Sequence, residues 1–503
     1  MKTTIHINPR RKIGDLSPLV FGSFIENLQD CIYGGVYDPA SPASDEEGFR
    51  ADVMAAARAM GVSMVRFPGG CFAPYYHWRD GVGPKESRPL TRYGAANFNG
   101  QCMGWPELNT FGTNELISWC RKVGAEPYIC VNMGSGSPEE ARDWVEYCNH
   151  EKGSRWADLR VAHGYSEPHR VTWWALGNEI SGPWEFGHAE NASDYIRRAR
   201  EYARAMKQAD PNIKLVFCGN HFPLMRENRD WNREVLEKLY EYVDAISMHH
   251  YIGLMAKGNC VGQWKDMEPG KLLAHLSEYM MEIDDAYRVM RGEIRFVSHL
   301  QPHRKPIGVA LDEYGPWYKS FGEAKLSESY TMIDALQMAA YFNAFIRHAD
   351  IALVSNHAQL VNVLAALLAE EGTARFARQT ISYVQEMYLE NRGGAAVDTW
   401  VDGESFPGKF YPQVAWVDAS ATIHPNHIVV NLINRDPVRP VECELSLPGM
   451  NFKLKSGKIL HHQDLTAANT LDRPECVIPH SVEGEKILLP PGSLGVYTLK
   501  THE

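Results

Sequence analysis

The chain has 503 residues, 44% hydrophobic and 22% charged, with a formal charge of -11. Its length exceeds what one hydrophobic core sustains, so a large domain with a smaller companion is expected, and the ordinary composition excludes a fibrous or largely disordered chain. The acidic balance without a dense Lys/Arg stripe argues against a nucleic-acid partner, and no run of eighteen apolar residues exists that could span a membrane as a helix.

In chain order, Met1–Asn8 alternates polar and apolar residues and reads as a strand. No apolar h-region with a cleavage site follows, which points to a cytoplasmic protein whose ten scattered cysteines are reduced thiols. Eight short apolar runs then alternate with amphipathic stretches: Val20–Phe24, Met64–Phe67, Pro127–Asn132, Val171–Leu176, Lys214–Cys218, Ala245–His249, Ile307–Asp312 and Ile351–Ser355. Between them lie helix signals, at Asp52–Met60, at Thr113–Val123, and at Ser137-Pro138-Glu139-Glu140 with its N-cap, first-turn proline and acids. Repeated βα units of this number predict an α/β fold, a (β/α)8 TIM barrel over residues 17–385. From residue 386 to 503, Gly and Pro punctuate short β-rich segments such as His427–Ile433, Glu442–Leu447 and Ser493–Lys500. These predict a C-terminal antiparallel β-sandwich, jelly-roll-like, into which the strand of residues 1–16 pairs.

Two acids stand at the ends of predicted strands, where barrel enzymes gather their catalytic groups. Glu179 closes Trp173-Trp174-Ala175-Leu176-Gly177-Asn178-Glu179 on strand four, and Glu313 stands in Leu311-Asp312-Glu313-Tyr314-Gly315-Pro316-Trp317 on strand seven. Strands four and seven point across one pocket, so the two carboxyls can face a single bond. Glycoside cleavage needs such a pair: one acid protonates the departing oxygen, and one carboxylate traps the oxocarbenium-like centre from about 5–5.5 Å away, with retention of configuration. A single strand-end glutamate can equally be a surface acid or a cap neighbour; Asn178 shifts the balance, because an amide there can hold the hydroxyl beside the reacting carbon. Glu313 is expected ionised and Glu179 protonated, its pKa raised by the pocket and the neighbouring charge.

Other candidates carry bland alternatives. Arg66, at the end of strand two, could lower the pKa of Glu313 or form an ordinary salt bridge. His249 reads as a pocket hydrogen-bonder or a structural histidine, and Trp317 as a sugar-facing wall or core packing, with Trp78 and Trp105 equally ambiguous. No H-E-x-x-H or C-x-x-C spacing calls for a metal, and no P-loop, dinucleotide fingerprint or G-x-S-x-G elbow appears, so neither metal nor cofactor is expected.

Long strings carry a resemblance over most of the chain. They include Phe21-Gly22-Ser23-Phe24-Ile25-Glu26-Asn27, Arg66-Phe67-Pro68-Gly69-Gly70-Cys71-Phe72, Ser247-Met248-His249-His250-Tyr251 and Asn356-His357-Ala358-Gln359-Leu360-Val361-Asn362. The sequence resembles family 51 glycoside hydrolases, chiefly α-L-arabinofuranosidases. The resemblance implies that Glu179 is the acid/base and Glu313 the nucleophile, and that Glu26, Asn178, Tyr251 and Gln359 line a furanose pocket. It also implies arabinofuranosyl oligosaccharides as substrates and a homo-oligomer, commonly a hexamer. Cys71 stands where many members have asparagine and is read as a pocket liner. Tyr93–Met103 departs from the family's tryptophan-bearing loop, and Ser181–His188 is a second loop expected to set specificity. The alternatives are the same chemistry on a β-xyloside, β-glucan or galactofuranoside, and a non-catalytic carbohydrate-binding barrel.

Overall fold

The computed structural model describes residues 1–502 except 93, 94, 99, 100, 104, 105, 255–257 and 485, with backbone alone for 95–98, 101–103 and 502. Eight parallel strands close a barrel in chain order: Gly22–Phe24, Met64–Phe67, Glu126–Val131, Trp173–Leu176, Lys214–Phe217, Ala245–Ile252, Gly308–Pro316 and Ala352–Ala358, numbered here one to eight. Inward-facing Met64, Tyr128, Ala175, Val216, Ala310 and Val354 fill the interior as one buried cluster. The plugged barrel therefore leaves room for a ligand only beyond the carboxyl ends of its strands.

The helices form where the local signals lie. Thr113–Val123 ends on left-handed Gly124, and Pro138–Asn149 starts under Ser137, whose Oγ accepts the Glu140 N–H at 3.1 Å. Helix Met332–Arg347 is buried at nearly every position. It packs on barrel strand seven and on strand Val417–Ile423 of the second domain, so neither side needs a polar face.

Strand ends differ from the pattern-based expectation. Strand one starts only at Gly22, after a 3-10 turn over Pro18–Phe21. Strands six and seven run on to Ile252 and Pro316, paired at Gly315–Tyr251 and Pro316–Ile252. An apolar run stops where side chains turn polar, yet the ladder continues, with His249 meeting the carboxylates at the barrel mouth and His250 turned to Tyr341 outside.

Strand Lys2–Asp15 sits in the second domain, in a nine-stranded sheet, antiparallel to Ala395–Asp402 and parallel to Val441–Ser446. That one parallel pair departs from an all-antiparallel sheet, and the physical reason is that parallel strands need a long crossover, which the whole barrel supplies. Ile5, Val430, Ile487 and Tyr497 share one core, so the sheet curls over itself. Arg347 ties the two parts together, donating to Asp284 and to Asp418, each at 2.8 Å.

Candidate active site

Local backbone devices aim the two acids. After strand four, Gly177 (φ 84°) and Glu179 (φ 41°) both take left-handed conformations. Such a backbone costs a side-chain-bearing residue about 1 kcal/mol or more, and it swings Glu179 out of the strand direction and over the mouth. In strand seven the register against strand six slips between Leu311 and Glu313. Strict alternation would send Asp312 and Glu313 to opposite faces; the bulge lets both reach His249. His249 Nε2 lies 3.2 Å from Asp312 Oδ1, and its Nδ1 lies 3.6 Å from Glu313 Oε2 and 2.8 Å from Glu179 Oε1. A carboxylate oxygen of Glu179, one of Glu313 and a ring nitrogen of His249 all fall within 4.8 Å of one another.

Each acid is gripped from outside as well. Arg66, buried and stacked on Phe24, donates to Glu313 Oε2 at 2.8 Å and to Asn178 Oδ1 at 2.6 Å. Tyr251 O–H donates to Glu313 Oε1 at 2.7 Å, and Trp184 Nε1 donates to Glu179 Oε2 at 2.6 Å. Glu26 Oε1 accepts the backbone N–H groups of Gly70 and Phe72, while its Oε2 accepts Gln359 Nε2 at 3.0 Å. Glycine is required at residue 70, since a Cβ there would stand 2.9 Å from Glu313 Oε2.

The ionisation pattern differs from the sequence expectation. Burial pushes the Glu179 carboxyl up, but the hydrogen bond and charge of His249 outweigh it and bring the pKa down to about 2. Burial pulls His249 down, yet the charge of Glu313 and the bonds to Asp312 and Glu179 lift it to about 10. The shared proton therefore rests on His249. The raised acids are others: burial and the charge of Glu313 bring Glu26 to about 7, and burial and the charge of Glu179 hold Glu185 well above the usual range.

Of the residues singled out from sequence, Arg66, Glu313, Tyr251 and Asn178 form one hydrogen-bonded group, Glu179 pairs with His249, and Glu26 pairs with Gln359. Cys71 borders it; burial and the charges of Glu185 and Glu179 hold its thiol well above its ordinary pKa, which suits a wall rather than a nucleophile. Trp317 is buried edge-on against Tyr251, at 5.0 Å between ring centroids. Trp78 belongs to the core, stacked with Trp144. Trp105 lies outside the described residues, as do parts of the 93–103 loop, whose segments Ala95–Phe98 and Gln101–Met103 pair as a short hairpin. His250 is structural, bonded to Tyr341 and held near a pKa of about 3 by burial.

Sequence reading missed Asp312, Tyr128 and Glu185. Tyr128 O–H donates to Asp312 Oδ2 at 2.7 Å, completing a chain from strand three through Asp312 and His249 to Glu179. Two consecutive acids within a strand hinted at a bulge; nothing in the sequence marked Tyr128. The sets Glu179–His249–Glu313 and Cys71–Glu179–Glu185 are each compact enough to surround a cation. Arg66 and His249 already supply positive charge to these carboxylates, so the chemistry of the donor set does not require a metal. Gln359 Oε1 and Glu185 Oε2 are buried and meet no N–H or O–H donor among the described residues, so a ligand hydroxyl could be accepted at either.

Comparison with known proteins gives one answer. Residues 56–259 match the α-L-arabinofuranosidase 1 domain, and residues 312–493 match the α-L-arabinofuranosidase C-terminal domain. The chain is 34% identical over 496 residues to an intracellular exo-α-(1→5)-L-arabinofuranosidase 1 of Bacillus subtilis, covering 95% of this chain and 94% of that one. It is 33% identical to an intracellular exo-α-(1→5)-L-arabinofuranosidase of Halalkalibacterium halodurans, at 95% and 94% coverage. Among solved structures, a family 51 α-L-arabinofuranosidase of Bifidobacterium longum superposes with a TM-score of 0.88 at 30% identity, covering 99% of both chains. An α-L-arabinofuranosidase of Thermotoga maritima, solved as an arabinose complex, gives 0.83 at 30% identity over 99% of this chain and 100% of that one.

Proposed function

The chain belongs to the family 51 α-L-arabinofuranosidases, and on that premise we propose that it releases terminal non-reducing α-L-arabinofuranosyl residues by a retaining double displacement. The observation that carries the mechanism is the pair of carboxylates, Glu179 and Glu313, with oxygens within 4.8 Å of one another at the barrel mouth. That spacing favours direct attack over an intervening water. Glu313, oriented by Arg66 and Tyr251, attacks the anomeric carbon while Glu179 delivers a proton to the departing oxygen. A glycosyl-enzyme ester forms and the glycosidic bond breaks. Glu179, now deprotonated, takes a proton from an incoming water, which attacks the same carbon and releases Glu313. Two inversions restore the starting configuration.

The acid's proton belongs to the Glu179–His249 pair, whose nitrogen and oxygen lie 2.8 Å apart. As the leaving oxygen gathers charge, the proton passes from His249 through Glu179 to the glycoside. The alkaline limb of kcat/KM is then set by loss of that proton from His249, whose pKa the neighbouring carboxylates raise to about 10. Replacing His249 by glutamine removes the group that depresses Glu179, so the buried carboxyl must hold the proton alone. The alkaline limb is expected to move acidward toward the carboxylic-acid range, with the slope preserved. An unmoved profile in His249→Gln would exclude the shared proton.

The relatives' names support α-(1→5)-linked arabino-oligosaccharides as substrates, acting from the chain end. Glu26 and Gln359, bonded to each other across the end of the pocket, supply acceptors suited to the hydroxyls of one terminal ring. A panel of nitrophenyl glycosides tests the sugar. The α-L-arabinofuranoside is expected to lead in kcat/KM over the β-xyloside and the galactofuranoside, with product retention seen by NMR; an arabinofuranoside among the poorest substrates would overturn the assignment while leaving the mechanism. The proposal places the enzyme inside the cell, as the relatives are named, acting on short oligosaccharides as a homo-oligomer. Among the described residues no helix is long and apolar enough to cross a membrane.

A further inference from the structure

The loop after Glu179 folds back tightly on itself. Gly182 N–H donates to Glu179 O at 2.6 Å and Ala189 N–H to Ile180 O at 2.9 Å. Glycine is needed at residue 182, where a Cβ would lie 2.5 Å from the Trp184 ring. Trp184 and Phe186 come out partly exposed, Phe186 stacked on Tyr75 at 4.6 Å, while Glu185 between them turns inward and is 4% exposed.

Glu185 Oε1 accepts Asn178 Nδ2 at 3.1 Å, and Asn178 Oδ1 accepts Arg66 Nη2 at 2.6 Å. The Asn178 amide is thereby pinned at both ends. Glu185 Oε2 is buried and meets no N–H or O–H donor among the described residues, while the Cys71 thiol hydrogen-bonds the same carboxyl. An oxygen of the same carboxyl lies within 4.8 Å of the Cys71 sulfur and of a Glu179 oxygen. A buried carboxyl oxygen without an N–H or O–H donor gains from a ligand hydroxyl, and this carboxyl stands beside Glu179 where a ligand can reach it.

We propose that Glu185 is a further substrate-binding residue, whose Oε2 holds the sugar hydroxyl next to the anomeric carbon while its other oxygen fixes the Asn178 amide against that same hydroxyl. This rests on the arabinofuranosidase reading above. Burial and the charge of Glu179 hold the carboxyl well above the usual carboxylate range, which favours a form that can donate as well as accept. The contact tightens as charge develops at the adjacent carbon, so its loss falls on kcat more than on KM.

The test compares the full-length enzyme with Glu185→Leu and Glu185→Gln on nitrophenyl α-L-arabinofuranoside and on its 2-deoxy counterpart. Leucine is expected to lower kcat/KM about 100-fold on the parent sugar, mainly through kcat, and by less than about threefold on the 2-deoxy sugar, whose missing hydroxyl leaves nothing to hold. Glutamine, which keeps an acceptor and a donor, is expected to stay within about tenfold on the parent, with its loss likewise absent from the 2-deoxy sugar. If the leucine variant does not fold, the glutamine ratio between the two sugars decides. Equal losses on both sugars, or a leucine variant as active as wild type on the parent, would overturn the inference. A wild-type enzyme inactive on the parent would instead remove the arabinofuranosidase reading, and this inference with it.

Discussion

Glu313→Ala is expected to abolish turnover on every arabinofuranoside, with kcat/KM reduced about 10⁴-fold or more, a loss of roughly 5.5 kcal/mol of transition-state stabilisation. The effect should not depend on the leaving group. In the proposed mechanism the carboxylate supplies the electron pair that forms the glycosyl-enzyme bond, and Arg66 and Tyr251, which hold its two oxygens at 2.8 Å and 2.7 Å, cannot replace it. Protein stability is a separate matter. Arg66 keeps its hydrogen bond to Asn178 and its ion pair with Asp312, so the guanidinium is not left alone in a buried site. Circular dichroism and thermal melting of the variant should therefore show a folded barrel. Steady-state rates on nitrophenyl and oligosaccharide substrates provide the check, and substantial activity on either would remove Glu313 from the nucleophile's role.

Glu179→Ala is expected to divide substrates by leaving group. On an arabino-oligosaccharide the departing alkoxide needs a proton, and kcat should fall by about 10²–10⁴, the usual worth of a positioned general acid. A dinitrophenolate departs unaided, so the first step there should remain fast and the glycosyl-enzyme should accumulate, because no base is left to activate water. Azide needs no base: added to the variant, it should restore turnover and yield arabinofuranosyl azide of retained configuration. His249 sharpens the expectation. Without its 2.8 Å partner it keeps Asp312 on the other nitrogen, so it remains a cation in the site but has lost its path to the substrate. Equal losses on good and poor leaving groups, with no azide product, would sink the acid/base assignment.

The bland alternatives for individual residues are resolved by packing. Trp78 is a core residue because Trp144, Tyr147 and Trp156 surround it. His249 and His250 are adjacent in sequence and opposite in environment, because successive strand residues face opposite sides of the barrel wall. His249 meets three carboxylates at the mouth, whereas His250 meets Tyr341 of the outer helix.

Apolar run length and spacing determined the eight barrel strands and the helices at Thr113 and after Ser137, since these are local matters of periodicity, capping and turn chemistry. The two strand-end glutamates were legible for the same reason: position at the end of a barrel strand is a one-dimensional property. The tertiary structure alone decided where the proton sits, because the pKa values of Glu179 and His249 depend on charges brought together from strands four, six and seven. It alone turned Asp312 inward beside Glu313 through a register slip against strand six, and it alone buried Glu185 with one oxygen that meets no N–H or O–H donor among the described residues. Bulges, burial and electrostatic coupling are pairwise properties of residues far apart in the chain, and no window along the sequence contains both partners.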